Sequence, residues 1–377
     1  MNKNPSSSSV NKYNSLEHLL KLKQYSLTDE KKNNILLDII KVQLFLTKTN
    51  IHIKNFFDKQ NINILDINSL SDVPAIPVQM FKYFELETCP KSEIVKILKS
   101  SGTTSNIPSR IPLSKKTTFN QIKALKSILS DYLGEKRKIF IVIDHEGINN
   151  PNMEFSARTA GVRGLSIYAK KIIYALKERT GVFELNIDAI DDIINNYENE
   201  DVYVFGFTYI IWSIFYNQIR KLNINFHFRS VKIFHSGGWK KLNDEAVSKE
   251  FFTESIAKLF NTNNENVLDF YGMAEQTGII FVDCEYGNKH IPNFSQIIVR
   301  DIQTLKPCKI GEIGLIEVMN ILSDSYYCQA ILTEDMGIII GIDDCPCKRK
   351  GKYFKFVSRV EKAEIRGCGD TFREREV

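Results

Sequence analysis

The sequence predicts an α/β fold, a doubly wound sheet followed by a smaller β-rich subdomain, and three observations carry that prediction. From about residue 94 to residue 238, short β-rich runs alternate with helical patterns, as strands crossed over by helices do. Past about residue 292 the texture changes to strands and turns. Ahead of residue 73 the apolar positions recur at helical spacing instead.

Taken in order, residues 1–14 are polar and serine-rich and read as a disordered arm. Residues 15–72 form a helical N-terminal segment, with Leu16, Leu19 and Leu20, then Ile35, Leu36, Ile39, Ile40 and Leu44, repeating on one face. VPAIPV at 73–78 puts two prolines in six residues, which forces extended backbone and opens an α/β core over 73–290. In that core IVKILKS (94–100) is a short strand feeding a glycine loop, and KIFIVID (138–144), DVYVFGF (201–207) and SVKIFHSGG (230–238) are β-rich. Helical patterns fill 117–133 and 209–222. A β-rich subdomain spans 291–357, built from IIVRDIQTLKPCKIGEIGLIEV, AILTEDMGIIIGI and YFKFVSRV, and 358–377 reads as a hinge and tail.

Composition narrows the class. With 43% hydrophobic and 25% charged residues, the 377-residue chain is globular in type, and disorder, collagen and coiled coil are excluded. A formal charge of +5, from 50 basic and 45 acidic residues, is too small and too scattered for a nucleic-acid surface. The amino terminus has no apolar signal core. The longest near-apolar run, 202–216, is broken by Gly206, Thr208 and Ser213 and falls short of the roughly 20 residues a spanning helix needs. Seven cysteines, an odd number, suit a reducing cytoplasm, so they are thiols, metal ligands or nucleophiles before they are disulfides.

Directly after the strand at 94–100, Ser100, Ser101, Thr103 and Thr104 surround Gly102, with Arg110 and Lys115 close in sequence. Hydroxyls and main-chain N–H groups in such a loop can turn toward a phosphate, although the Walker A spacing is absent. Taken alone, such a cluster reads as an ordinary loop. DFYGMAEQTG (269–278), TEDMG (333–337) and SRVEKAEIRGCG (358–369) follow it in sequence. The four motifs in this order resemble the adenylate-forming superfamily of acyl-CoA synthetases and peptide-synthetase adenylation domains. VPAIPVQMFKYFEL before the loop, HSGGWKKL at His235 and a cysteine near the carboxyl terminus narrow the resemblance to the acyl-protein synthetases of the bacterial bioluminescence fatty-acid reductase complex, relatives of the phenylacetate-CoA ligases. The likeness covers about residues 70–370.

The resemblance implies a nucleotide site and a reaction. Ser100, Ser101, Gly102, Thr103 and Thr104 would hold the ATP phosphates. Gly237 and Gly238 would lie flat beside the adenine, Tyr271 would stack on it, and Glu275 would hold Mg²⁺. Asp335 would accept from the ribose hydroxyls and Arg359 would add a second ribose or phosphate contact. Read without the resemblance, Tyr271 is a core aromatic and Asp335 a turn residue. The implied chemistry is activation of a carboxylic acid through an acyl-adenylate, with transfer to a thiol.

Adenylate-forming enzymes usually carry a mobile C-terminal domain that delivers a catalytic lysine; only 18 residues follow Arg359, so most of that lid is expected to be missing. Acyl-protein synthetases share the truncation, and Lys362, Lys352 or a partner protein would substitute. Cys368 falls where that family keeps its acyl-carrying cysteine. A thiolate is both nucleophile and later leaving group, Arg366 could lower its pKa, and Gly367 and Gly369 would let it move. The alternative is a small buried hydrophobe.

Cys284 and His290 as C-x5-H, then Cys345 and Cys347 as C-P-C, offer three soft thiolates and an imidazole suited to tetrahedral Zn²⁺, with Asp343 and Asp344 behind them. Unrelated surface thiols are the competing reading. Cys89, Cys308 and Cys328 have no partner pattern. His145 and His235 read as pocket-lining or loop histidines, and Trp239 and Phe207 as pocket wall or core.

The expectation is therefore an ATP- and Mg²⁺-dependent, AMP-forming acyl-protein ligase of the cytoplasm. Its substrate would be a small carboxylic acid, fatty or otherwise, and its partner an acyl reductase or acyl-carrier protein. An acyl-CoA ligase of the phenylacetate type is the nearest alternative, and a non-catalytic nucleotide-binding partner of an acyl reductase the second.

Overall fold

A computed structural model of the chain describes residues 15–100, 107–149, 157–238 and 246–360. The described residues fall into two compact units, one made of 15–97, 112–128 and 290–360, the other of 98–100, 107–111, 129–149, 157–238 and 246–289.

The chain enters through α1 (Leu16–Lys21), α2 (Asp29–Thr47) and α3 (Ile51–Lys59). The start of α1 is capped by Ser15, whose hydroxyl accepts from the His18 amide, and that of α3 by Asn50, whose carbonyl accepts from His52 and Ile53. Leu36, Ile40 and Leu44 of α2 are fully buried, the i, i+4, i+8 stripe that the spacing predicts. After the prolines come β1 (Ile76–Pro77), α4 (Met80–Tyr83), β2 (Ile94–Lys99), β3 (Arg110–Ser114) and α5 (Lys115–Leu133). The strand expected at 94–100 is present, but β2 and β3 form a two-stranded sheet of their own rather than joining the larger one.

The second unit is built on β4 (Lys138–His145), β5 (Ala169–Arg179), β6 (Val182–Leu185), β7 (Asp201–Phe207), β8 (Ser230–Ser236), β9 (Val267–Tyr271) and β10 (Phe281–Val282). Their order, β10-β9-β8-β7-β4-β5-β6, is parallel through β9-β8-β7-β4-β5, with an antiparallel strand at each edge. The order turns back on itself at β4, where both neighbours are reached by crossovers through α6 (Ala157–Leu165) and α7 (Ile187–Asn196). A further helix, α8 (Asn217–Ile219), continues the turns after β7, and α9 (Lys249–Leu259) precedes β9. Strands β4 and β7 are buried almost throughout, which is why they read as continuous apolar runs rather than alternating ones, while β8 is buried at Val231 and over 233–235. The Phe140 and Tyr203 rings stack at 4.4 Å across the β4–β7 pair. The helix expected over 209–222 begins as a π-helix at Ile210–Tyr216, with Trp212 stacked on Tyr216 at 4.6 Å. No helix among the described residues is long and apolar enough to cross a membrane.

In the first unit β12 (Ser295–Arg300), β13 (Ile313–Asn320), β14 (Ile331–Ile342) and β15 (Lys352–Arg359), which follow the short β11 (Lys289–His290), form an antiparallel sheet in the order β11-β15-β14-β13-β12, with β1 parallel to β14. Its buried Arg300 and Glu317 form an ion pair between β12 and β13.

Candidate active site

Parallel sheets bind ligands outside the carboxyl ends of their strands, where the strand order reverses. The second unit carries several of the sequence-predicted residues at the carboxyl ends of β8 and β9, on the same side of the sheet but away from β4, where the order reverses. Gly237 and Gly238 follow β8 directly, and Tyr271 is the last residue of β9, its ring 6.1 Å from that of Phe281. Glu275 lies in the short turn Ala274–Gln276 and is 5% exposed. Gly237 has φ +87, a conformation that favours glycine on backbone grounds alone, and a Cβ there would come 3.2 Å from Phe207. Ser100 closes the base of its loop, its hydroxyl accepting from the Ser109 amide at 3.0 Å. Ser101, Gly102, Thr103, Thr104, Trp239, Lys362, Arg366 and Cys368 lie outside the described residues, as does the arm at 1–14.

Behind Tyr271 is a charge network that sequence reasoning did not find. Lys289, 3% exposed, donates to the Asp269 carboxylate (2.8 Å), to the Asp269 main-chain oxygen (3.2 Å) and to Asp283 (3.0 Å). Lys249 reaches Asp283 at 2.6 Å and Asp269 at 3.5 Å. Burial opposes the ionised form of Asp269, but Lys289, His235 and Lys249 outweigh it and hold the carboxyl well below the usual range. His235, 4% exposed, pairs its Nδ1 with the Thr208 hydroxyl at 2.9 Å and lies 4.0 Å from Asp269. Burial lowers its pKa to about 4, against the pull of Asp269, so the ring is neutral at physiological pH. His145 lies 3.5 Å from Glu178 and against Phe183, beside a buried Asp144–Arg158 ion pair.

In the first unit Asp335, expected at the ribose and otherwise a turn residue, lies within β14, directly opposite Arg359 of β15, and the Arg359 Nε donates to its carboxylate at 3.1 Å. The Asp335 amide is held by the Thr333 hydroxyl at 3.1 Å.

The cysteine and histidine pattern is also gathered in space. Ligand atoms of Cys284, His290, Cys345 and Cys347 all lie within 4.8 Å of one another. A tight turn, in which the Cys284 amide donates to the Asn288 oxygen, sets Cys284 close to His290 at the end of β11; Cys345 and Cys347 sit on the loop before β15. The Cys347 sulfur is 3.1 Å from the His290 Nε2. Burial, then the charges of Arg349 and Lys32, lowers the His290 pKa to about 3, so the imidazole is neutral, and its buried Nδ1 has no hydrogen-bond partner among the described residues. Zinc bonds of about 2.0–2.3 Å in a tetrahedron separate ligand atoms by about 3.3–3.8 Å, so the four groups would draw together slightly around the ion, and three thiolates with a neutral imidazole are donor types that suit it. Cys328, by contrast, is a buried thiol raised to about 12 by burial, and Cys89 and Cys308 are half-buried.

Fold and motifs together define an adenylate-forming ligase. The structure superposes on an open conformation of 2-hydroxyisobutyryl-CoA ligase, in complex with its acyl-AMP and CoA, with a TM-score of 0.67 and 13% identity, covering 91% of this chain and 79% of that one. The same ligase in a postadenylation state gives a TM-score of 0.65 at 12% identity, with 89% and 69% covered. The chain belongs to the acyl-protein synthetase family, matching "Acyl-protein synthetase, LuxE" over residues 10–376. Two long-chain-fatty-acid–luciferin-component ligases are similar to it. That of Aliivibrio fischeri is 24% identical over 320 residues (84% of this chain, 81% of the relative), and that of Vibrio harveyi 24% over 308 residues (80% and 78%). The chain is accordingly an AMP-forming ligase that uses ATP to activate a carboxylic acid through an acyl-adenylate.

Proposed function

We propose that this ligase charges a protein thiol with a long-chain acyl group, Cys368 being the acceptor from which an acyl reductase takes it. The observation that carries the reading is the placement of Gly237, Gly238 and Tyr271 at the carboxyl ends of β8 and β9, in a chain whose family match runs on past Cys368. A carboxylate oxygen of the acid attacks the α-phosphorus of ATP, the bond to the β-phosphate breaks, and pyrophosphate leaves. The thiolate sulfur then attacks the acyl carbonyl and AMP departs. Tyr271 stacks on the base, Gly237 and Gly238 leave room beside it, and Ser100, Ser101, Gly102, Thr103 and Thr104 bind the phosphates. Asp335 accepts from ribose hydroxyls, oriented by its bond to Arg359. Positioning of this kind supplies much of the barrier reduction in such transfers.

Mg²⁺ held by Glu275 neutralises phosphate charge when bound. Cys284, His290, Cys345 and Cys347 are proposed to hold a structural Zn²⁺, with all four positions supplied by protein. The long-chain acid and the reductase partner are proposed from the likeness to luciferin-component ligases.

The test is acid-dependent pyrophosphate release with ATP and Mg²⁺, run on wild type and Cys368→Ser across fatty acids of graded length. Release in both, with protein-bound thioester only in wild type, is the expected result. Equal thioester in both moves the acceptor elsewhere, and release that depends on coenzyme A makes the chain an acyl-CoA ligase.

A further inference from the structure

Lys32 sits in the interior of the first unit, 1% exposed, on the buried face of α2. Its ammonium meets one hydrogen-bond acceptor among the described residues, the main-chain oxygen of Ile291, at 3.5 Å. The nearby carboxylates Asp29 and Asp343 act on that charge, and both also accept from other donors. Asp29 accepts from Asn33 and Gln296, each at 2.9 Å, and lies 3.7 Å from Lys352. Asp343 accepts from the Asp29 amide at 3.1 Å and from the Gly351 amide at 2.7 Å. A buried cation with so little directly bonded to it is costly unless opposite charge stands close by.

Asp29 and Asp343 supply part of that charge, Asp29 shared with Lys352, and the surroundings point to more. Ile291 follows His290, and a Cβ on Gly351, at the end of the loop that carries Cys345 and Cys347, would stand 3.2 Å from the Lys32 ammonium. Lys32 thus lies between the two chain segments that bring these ligands in. Three thiolates and a neutral imidazole around a divalent ion leave one net negative charge, which a buried site must balance. Arg349 is the other cation that acts on His290, but it is only half-buried, so solvent weakens its field.

We propose that Lys32 is the counter-charge of the metal centre, holding the net-negative four-ligand site in the interior and orienting the His290 segment through the Ile291 carbonyl. The proposal rests on the metal reading. The metal in turn accounts for a lysine being buried there.

The experiment compares the full chain with Lys32→Gln, which keeps a hydrogen-bond donor without the charge, and Lys32→Arg, which keeps the charge. Lys32→Met, apolar and of similar length, is the second neutral variant if Lys32→Gln does not fold. Zinc content is measured by mass spectrometry of the metal, affinity by competition with a chromogenic chelator, and melting temperature with and without the metal. The expected result is one zinc in wild type and Lys32→Arg, and affinity about 10- to 100-fold weaker in the neutral variant. The metal-free neutral variant should melt no lower than metal-free wild type, while its gain on adding zinc should be smaller. Unchanged zinc affinity in the neutral variant overturns the role of Lys32 and leaves the metal centre standing. Wild type that holds no zinc and whose melting is untouched by chelation overturns the metal centre, and the proposal with it.

Discussion

Lys289 grips Asp269 twice, by its carboxylate at 2.8 Å and its main-chain oxygen at 3.2 Å, two residues ahead of Tyr271. The same ammonium reaches Asp283 at 3.0 Å, so the end of β9 is tied to the strand leading to Cys284 by a buried ionic bond rather than by packing alone. Removing one member of such a network leaves the others uncompensated, at a cost of about 3–5 kcal/mol. Lys289→Met should therefore lower thermal stability sharply. If the network also positions Tyr271, the KM for ATP in pyrophosphate exchange should rise about tenfold while kcat changes less, and Lys289→Arg should recover part of it. A melting shift with the KM for ATP unmoved would make the network purely structural.

His235 gives a pH dependence with a defined sign. Its folded pKa, about 4, lies below the ordinary 6.5, so between those values the unfolded chain binds more protons than the folded one. Stability attributable to the neutral ring is complete above about pH 6.5 and declines as the pH falls toward 4, by on the order of 3 kcal/mol. Urea midpoints for wild type and His235→Gln should converge across that window on acidification. Parallel curves would mean that the ring is not held neutral by burial.

The Asp335–Arg359 pair makes a prediction about nucleotide choice. If Asp335 accepts from ribose hydroxyls, wild type should favour ATP over deoxy-ATP, and Asp335→Ala should lose most of that preference along with about 1.5–3 kcal/mol of ATP binding. Arg359→Ala, which leaves the carboxylate in place but frees it to rotate, should weaken ATP less and keep part of the discrimination. Titration of each variant with ATP and its 2′- and 3′-deoxy analogues separates these outcomes. An Asp335→Ala protein that still discriminates as wild type does would remove the residue from the ribose site.

What the sequence shows of this fold follows from burial. Strands β4 and β7 are covered on both faces, so KIFIVID and DVYVFGF announce themselves as apolar runs, and β8 shows as the shorter buried stretch IFH within SVKIFHS. Strand β5, AKKIIYALKER, lies next to the sheet's edge strand β6 with Lys170 and Lys171 turned to Glu200 and Asp192, and its charges and helix-forming residues hide it. The four metal-type ligands are visible because thiols and imidazoles set at short spacings are a common signature of a metal centre. Lys289 and Lys32 are not, because a lysine in a sequence reads as a solvated side chain. What buries them is supplied by contacts 20 and 259 residues away.

Gly237 offers the most economical test of the β8 end. Two separate effects oppose a side chain there: the left-handed φ of +87, and the Phe207 ring 3.2 Å from where a Cβ would stand. The first costs an L-residue about 1–2 kcal/mol, and the second adds whatever the ring cannot yield. Gly237→Ala should therefore lose stability by at least that backbone amount and weaken ATP binding if the glycine borders the adenine. Phe207→Leu in the same chain should restore the steric part and leave the backbone part, so the double variant should fall between Gly237→Ala and Phe207→Leu in stability. Recovery of ATP affinity along with stability would place the effect in the ring contact. Stability regained without affinity would mean that the added methyl itself occupies space the nucleotide needs. Full wild-type affinity in Gly237→Ala would exclude the glycine from the nucleotide site.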